Sequence, residues 1–320
     1  MSGDDRVDEH GTVAAAGAVD RVAREVGGTD VIDRLAALSG SDFTTVMLEV
    51  VRRRAGRETP ATVLRRYQRD RFVRPGSGPW RATRRAEDVL LGCLPAETEV
   101  VPLAPLVPLG THSALATVSQ HKVVTAIRAC EVAADPTNAL ALEAAVRRAG
   151  GSGGAGSGVV RLAAVQRVVR AQRFPDGWAA HFGLFATVTA GRDIGSRRFE
   201  VRMLGEQLQF AVAALRTAGV RDVEVALTPL SEAGERIAAD TAAALASADA
   251  EIVTDRDRAG GRGYYRDVCF KVNALADGAV VEIGDGGFTD WTARLLANGK
   301  ERLLITGYGT DRLAVAADLG

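Results

Sequence analysis

Of the 40 lysines and arginines in this 320-residue chain, only Lys122, Lys271 and Lys300 are lysine. Histidine is also scarce, and His10, His112, His121 and His181 have no cysteine or acid at the spacing of a structural transition-metal cage. Cys93, Cys130 and Cys269 are odd in number, far apart and set in apolar surroundings. That argues against a disulfide framework or a zinc site and reads as buried small hydrophobes. No run reaches the roughly 18 apolar residues of a membrane-spanning helix, and the first thirty residues carry acids where a secretory signal needs an apolar core, so a cytoplasmic location is expected. Net charge is zero as well, so any basic contact surface has to be local. What remains is a chain with 47% hydrophobic residues, enough to bury a full core as one large domain or two modest ones.

The stretch with most chemistry is Val159 to Gly191. Two apolar arms, one running to about Arg170 and one starting near His181, flank a turn at Pro175, Asp176 and Gly177, which predicts a hairpin with a long loop. Arg170 and Gln172 leave the first arm and Phe182 enters the second. This placement sets a guanidinium, a planar fork for phosphate, beside a ring on which a base can stack. An ordinary hairpin with a surface arginine is the alternative.

Taken in order, residues 1 to about 27 have weak periodicity and read as frayed or partly helical. From Thr29 to Tyr67 apolar residues recur at helical spacing, with Asp30, Ser41 and Thr59-Pro60 as helix starts, so residues 1–83 form a helical extension. About a dozen arginines between Arg52 and Arg85 face few acids. They read as solvated helix faces, with a nucleic-acid or acidic-partner contact as the alternative. Arg84 to Leu94 predicts a helix, and Thr98 to Leu109, with three prolines, an edge or irregular strand. Val123 onward reads as an apolar strand entering the Asp135-Pro136-Thr137 turn, where Asp135 or Thr137 caps a helix. Gly150 to Gly158 is a flexible connector with no side chains to do chemistry, which by composition could mark a domain boundary. Arg197 to Ala218 and Ser231 to Ala248 are helical, with a strand over Val223 to Leu227 between them.

Several of these motifs, in this order, resemble the class II aminoacyl-tRNA synthetases, most closely the histidyl-tRNA synthetase family. The Arg84 helix and the proline-bearing strand resemble motif 1, which builds a homodimer interface in that family. Val169-Arg170-Ala171-Gln172 with Phe182 resembles motif 2, although the family's aromatic and acid have changed. Asp135 and Thr137 fall on an acid–Gly–Thr turn, with Pro136 replacing the glycine. Gly260 to Val272 resembles the family's Arg-Gly-Leu-Asp-Tyr-Tyr signature through Tyr264 and Tyr265; its catalytic arginine would fall on Gly260, leaving Arg258 or Arg262 to supply the group. Gly284 to Asp290 resembles a glycine-rich turn, and Leu303 to Leu313 resembles motif 3, a strand, a glycine turn and a helix start at Arg312.

The resemblance covers Arg84 to Gly320 and implies an α+β fold, with a mixed, mostly antiparallel sheet flanked by helices. An anticodon-binding domain is not expected in the given sequence. It implies a homodimer that uses ATP and Mg2+ to convert an amino acid or related acid to an acyl-adenylate for an unknown acceptor, whether tRNA, protein or small molecule. ATP would lie on Arg170, Gln172, Phe182, Gly307, Gly309 and Arg312, with Arg170 and Arg312 as the catalytic cations. The substrate would lie on Asp135, Thr137, Arg262, Tyr264, Tyr265, Gly286 and Gly287. A non-catalytic amino-acid-binding protein, like the regulatory subunit of ATP phosphoribosyltransferase, is the competing implication. A tRNA-directed paralogue using the arginine-rich helices is a third.

Overall fold

A computed structural model describes residues 9–76, 78–150, 158–174, 178–276 and 279–317. The predicted turn at Pro175 to Gly177 and residues 151–157 of the glycine loop lie outside them. The chain begins with α1 (Glu9–Glu25), α2 (Asp30–Ala36), α3 (Gly40–Ala55) and α4 (Pro60–Arg69). Thr59 caps α4 in a reciprocal capping box with Thr62, and Pro60 occupies the first turn, where its missing N–H costs nothing. The start expected at Ser41 moves back, because Ser39 accepts from the Asp42 N–H and α3 begins at Gly40. No residue of α2, α3 or α4 is buried. What ties this segment down follows α4: the Arg71 guanidinium donates to the carbonyls of Ala171 and Gln172, and the His181 Nε2 donates to the Arg74 carbonyl.

Next come α5 (Trp80–Gly92), β1 (Glu99–Val100), β2 (Leu106–Pro108), α6 (Thr111–Ala116), β3 (Thr125–Ala126), β4 (Cys130–Val132), α7 (Pro136–Gly150), β5 (Val160–Val169) and β6 (His181–Arg192). The single strand expected from Val123 is in fact the short hairpin β3–β4, because Ala129 takes a left-handed φ of 53° and reverses the chain. The rest is α8 (Arg198–Ala218), β7 (Asp222–Pro229), α9 (Glu232–Ala244), β8 (Glu251–Thr254), β9 (Arg266–Ala276), β10 (Ala279–Thr289), α10 (Trp291–Leu295), β11 (Glu301–Gly309) and α11 (Thr310–Ala316). Eight strands form one sheet in the order β1-β5-β6-β11-β10-β9-β7-β8, antiparallel except at its two outer pairs, β1–β5 and β7–β8. The small sheet β2-β4-β3 stands apart from it.

Helices cover the two faces of the large sheet unequally. Residues of α5, α8, α9 and α11 bury one face in the larger core, around Leu90, Phe185, Leu208, Leu215, Val225, Phe270 and Leu313. Residues of α6, α7 and α10 cover only part of the other face, over Leu162, Val188, Leu303, Ile305 and Cys269. The hairpin β5–β6 crosses under both cores. Residues 183–191 of β6 are therefore all buried, and their only polar side chains are the small hydroxyls of Thr187 and Thr189. The remainder of the second face lies at the Phe182 end of β6 and the Gly309 end of β11. Among the described residues no helix is long and apolar enough to cross a membrane.

Two glycine turns expected from sequence are strands. Gly284, Gly286 and Gly287 lie inside β10, paired on both sides, and β11 runs through Gly307 and Gly309 straight into α11. The glycines of β10 answer packing needs. A Cβ on Gly286 would stand 2.4 Å from the Ile305 carbonyl oxygen and 2.6 Å from the Phe270 ring, and one on Gly287 would stand 2.7 Å from the Tyr265 ring.

Candidate functional site

Asp135 is the corner on which the pocket is built. It precedes α7 and accepts from the Thr137 N–H at 2.9 Å and the Thr137 hydroxyl at 2.7 Å, so it does cap the helix as the sequence suggests. Its other oxygen faces Arg170, whose Nη2 lies 3.4 Å away while its Nε donates to the Ala134 carbonyl at 2.8 Å. The Arg170 guanidinium carbon stands 5.2 Å from the Phe182 ring centroid. Guanidinium and ring therefore share one end of the β5–β6 hairpin.

The loop carrying Asp135 is set by a buried polar pair beneath it. His112 and Glu131 are 1% and 0% exposed, and the His112 Nδ1 lies 2.6 Å from a Glu131 oxygen. Because the His112 Nε2 accepts the Ala134 N–H at 3.0 Å, Nδ1 is the protonated nitrogen that donates to Glu131. Burial pushes the Glu131 carboxyl up, but hydrogen bonds from the His112 backbone, Gln120, the His112 ring and the Gly110 backbone outweigh it, and the group ends below the usual carboxylate range. Every polar atom of this pair has a partner, so the backbone at Ala134 and Asp135 is held in one place.

Tyr264 and Tyr265 form the opposite wall, their rings edge to face at 4.8 Å, with Trp291 edge-on to Tyr264 at 5.6 Å. Burial first, then the negative charges of Asp135 and Asp285, push the ionisation of the Tyr264 hydroxyl well above normal, and burial with Asp285 does the same for Tyr265. Both hydroxyls therefore stay protonated and available as donors. The Tyr265 hydroxyl donates a hydrogen bond to Asp285 at 3.2 Å, and Arg258 donates to the same Asp285 oxygen at 3.1 Å.

Of the two arginines considered for the missing guanidinium, Arg258 is the one turned inward. Its side chain is only 6% exposed and is fixed by the carbonyls of Gly260 and Phe270. Arg262 is exposed, its Nη2 on the Arg256 carbonyl, and is not brought to the pocket. Gly286 points its missing side chain into the core and Gly287 lies under Tyr265, so neither opens onto a ligand. Gly307 faces open space: a Cβ there would meet nothing within 4 Å. Its register partners Ala186 and Asp285 flank it on the open face.

Gly309 is covered by Arg312, at the first turn of α11. The Arg312 Nη1 donates to the Glu282 carbonyl at 3.0 Å, and the Trp178 ring centroid lies 5.5 Å from its guanidinium carbon. Burial lowers its proton affinity from the usual guanidinium value. Gln172 has its carbonyl tied to Arg71 at 2.7 Å. Sequence reasoning gave no role to Asp285, Trp291, Glu282 or Trp178. An acid inside a glycine-rich strand is the signal that marks Asp285; nothing local marks the others. A cleft of about 580 Å³ lies beyond Arg312, over β7 to β10. Among the described residues no three His, Cys, Asp or Glu side chains come together as a metal site.

No family model matches the sequence, and neither does any curated protein. Solved structures do match the fold. The apo histidyl-tRNA synthetase of S. aureus superposes with a TM-score of 0.57 at 14% identity over 75% of this chain, which spans 65% of that enzyme's length. A protein of Bacillus halodurans described as an ATP phosphoribosyltransferase regulatory subunit/histidyl-tRNA synthetase gives 0.60 at 13% identity, over 77% of this chain and 83% of its own. A histidine–tRNA ligase subunit of Alicyclobacillus acidocaldarius gives 0.58 at 15% identity, over 78% of this chain and 97% of its own. With its mostly antiparallel sheet and flanking helices, the chain carries the class II aminoacyl-tRNA synthetase-like α+β fold of these proteins.

Proposed function

We propose that this chain binds an amino acid or a related acid in the Asp135–Tyr264–Asp285 pocket and activates its carboxylate with ATP, giving an acyl-adenylate for an acceptor outside the chain. The observation that carries the reading is the open backbone position at Gly307, where a Cβ would meet nothing within 4 Å, with the Arg170 guanidinium beside the Phe182 ring on the β5–β6 hairpin and Arg312 in the first turn of α11. Asp135 and the Thr137 hydroxyl are placed to hold an ammonium group, a charge-assisted contact. Tyr264 and Tyr265, kept protonated, shape the side-chain end. A carboxylate approaching a triphosphate brings like charges together, and Arg170, Arg258 and Arg312 supply the fixed positive charge that offsets this. Phe182 offers a ring for stacking, and Gly307 lets a flat group lie against the backbone. ATP supplies the adenylyl group and the pyrophosphate leaving group. With no protein metal cage among the described residues, Mg2+ would be held chiefly by the phosphates. A cytoplasmic homodimer belongs to the same proposal.

The test is pyrophosphate exchange into ATP with magnesium across a panel of amino acids. Exchange stimulated by one compound, and lost in Arg170→Ala with the fold intact, supports the reading; unchanged exchange in that variant refutes the role of Arg170. A second reading, a non-catalytic amino-acid-binding regulatory subunit, is favoured by one observation. Arg312 is already engaged by Glu282 and Trp178, and so is less available to a phosphate. Calorimetric binding of an amino acid without ATP binding or exchange selects it.

A further inference from the structure

Arg170 hangs from backbone that His112 holds. Its Nε donates to the Ala134 carbonyl at 2.8 Å, while its Nη2 stands a looser 3.4 Å from Asp135. A guanidinium is a rigid planar fork, so the group that its Nε–H donates to sets where the fork points. The direction of Arg170 therefore follows the direction of the Ala134 carbonyl. One step back along the chain, the peptide joining Ala133 to Ala134 is held at both edges. Its carbonyl accepts the Val169 N–H at 3.1 Å, and its N–H donates to the His112 Nε2 at 3.0 Å. Val169 immediately precedes Arg170, so the strand end and the guanidinium take their places from the same short stretch.

His112 accepts from Ala134 only while its Nε2 is bare. Glu131 fixes that tautomer. One Glu131 oxygen accepts from the His112 Nδ1 at 2.6 Å and from the His112 backbone N–H at 2.8 Å, and the other accepts from the Gly110 N–H and the Gln120 amide, each at 3.1 Å. His112 is only 1% exposed, so its effect on any ligand passes through the backbone. Without the His112 acceptor the Ala134 N–H is a buried donor left unpaired, and a turn of the loop that satisfies it carries the Arg170 bond along.

We infer that His112, in its Nδ1-protonated tautomer, is a positioning residue for Arg170 and acts through Ala134. Its value for phosphate binding rests on the proposed role of Arg170; the placement itself does not, and is measured without ligand. Asparagine and glutamine divide the histidine in two. An asparagine amide reaches the place of Nδ1 and a glutamine amide the place of Nε2. His112→Asn therefore keeps a donor for Glu131 and drops the acceptor for Ala134, and His112→Gln does the reverse. A histidine that only fills the core gives no such division.

The experiment is NMR of the full chain, isotopically labelled at arginine side chains and histidine rings and free of ligand. The Arg170 Nε–H signal is identified by its loss in Arg170→Lys. Its exchange with water should be slow in the wild type and in His112→Gln, and faster by about tenfold or more in His112→Asn, as for the loss of one hydrogen bond. The wild-type His112 ring should carry a proton on Nδ1 and none on Nε2. Exchange that quickens to the same extent in both variants, or in His112→Gln alone, makes the role of His112 one of stability and overturns the inference. Unchanged exchange in His112→Asn also overturns it. A proton on Nε2 in the wild type does so without any variant.

Discussion

Replacing Gly307 by alanine separates folding from nucleotide binding. Most glycines of β10 and β11 are fixed by packing, but a Cβ at Gly307 meets nothing within 4 Å, and the backbone there is not left-handed. Glycine costs a strand roughly 0.5–1 kcal/mol relative to alanine, so the variant should be as stable as the wild type or slightly more stable. The methyl would rise between Ala186 and Asp285, into the strip on which a flat base is proposed to lie. Overpacking a fitted contact costs about 1–3 kcal/mol, which is about 5- to 150-fold in affinity. Titration with ATP and magnesium, followed by fluorescence or calorimetry beside a urea melt, reads both quantities. The control is Gly286→Ala, whose methyl would strike the Ile305 carbonyl and Phe270 and should cost about 1–3 kcal/mol of stability. If Gly307→Ala binds ATP as the wild type does, the strip is not a nucleotide floor; if it unfolds as readily as Gly286→Ala, the open face has been misread.

Removing the Tyr265 hydroxyl with Tyr265→Phe deletes one donor to Asp285 while Arg258 remains, so stability should fall by no more than about 1.5 kcal/mol. Amino-acid affinity measured by calorimetry should fall with it; an unchanged affinity removes Tyr265 from the pocket. His112→Ala strips Glu131 of its ring donor and the Ala134 N–H of its acceptor, and leaving these buried groups short of a partner should cost about 1–3 kcal/mol in a denaturant melt. Acid should act through the same carboxylate. The folded pKa of Glu131 is depressed, so its contribution is fully present above the unfolded value of about 4.3 and is lost as pH falls through the lower folded value. The stability gap between wild type and Glu131→Gln should therefore narrow below about pH 4 in chemical melts, and a gap independent of pH would contradict this.

Much of the site was legible in the sequence because its signals are local. The hairpin ends within a residue of Val169 and His181 follow from apolar runs broken by turn residues, and Asp135, Thr137 and Pro136 form a helix start wherever they occur. Thr59-Pro60 marks its helix for the same reason. A left-handed Ala129 that splits a strand carries no such signal, since alanine is not a residue that favours that conformation.

What tertiary structure alone decided is which residues share a face. Alternation along β10 would put Glu282 and Asp285 on opposite sides, because they are three residues apart. A register shift between Glu282 and Gly284 adds a residue, so Glu282 pairs with Asn273 and Asp285 with Lys271, and both carboxylates come to the open face. The choice of Arg258 over Arg262 is of the same kind. The segment between β8 and β9 has no repeat to read, and only the Asp285 carboxylate and the Phe270 carbonyl, reached across the sheet, turn Arg258 inward. The residue types and their order set the hairpin, the helix starts and the chemistry available; the strand pairing, which depends on contacts far apart in the chain, set where that chemistry converges.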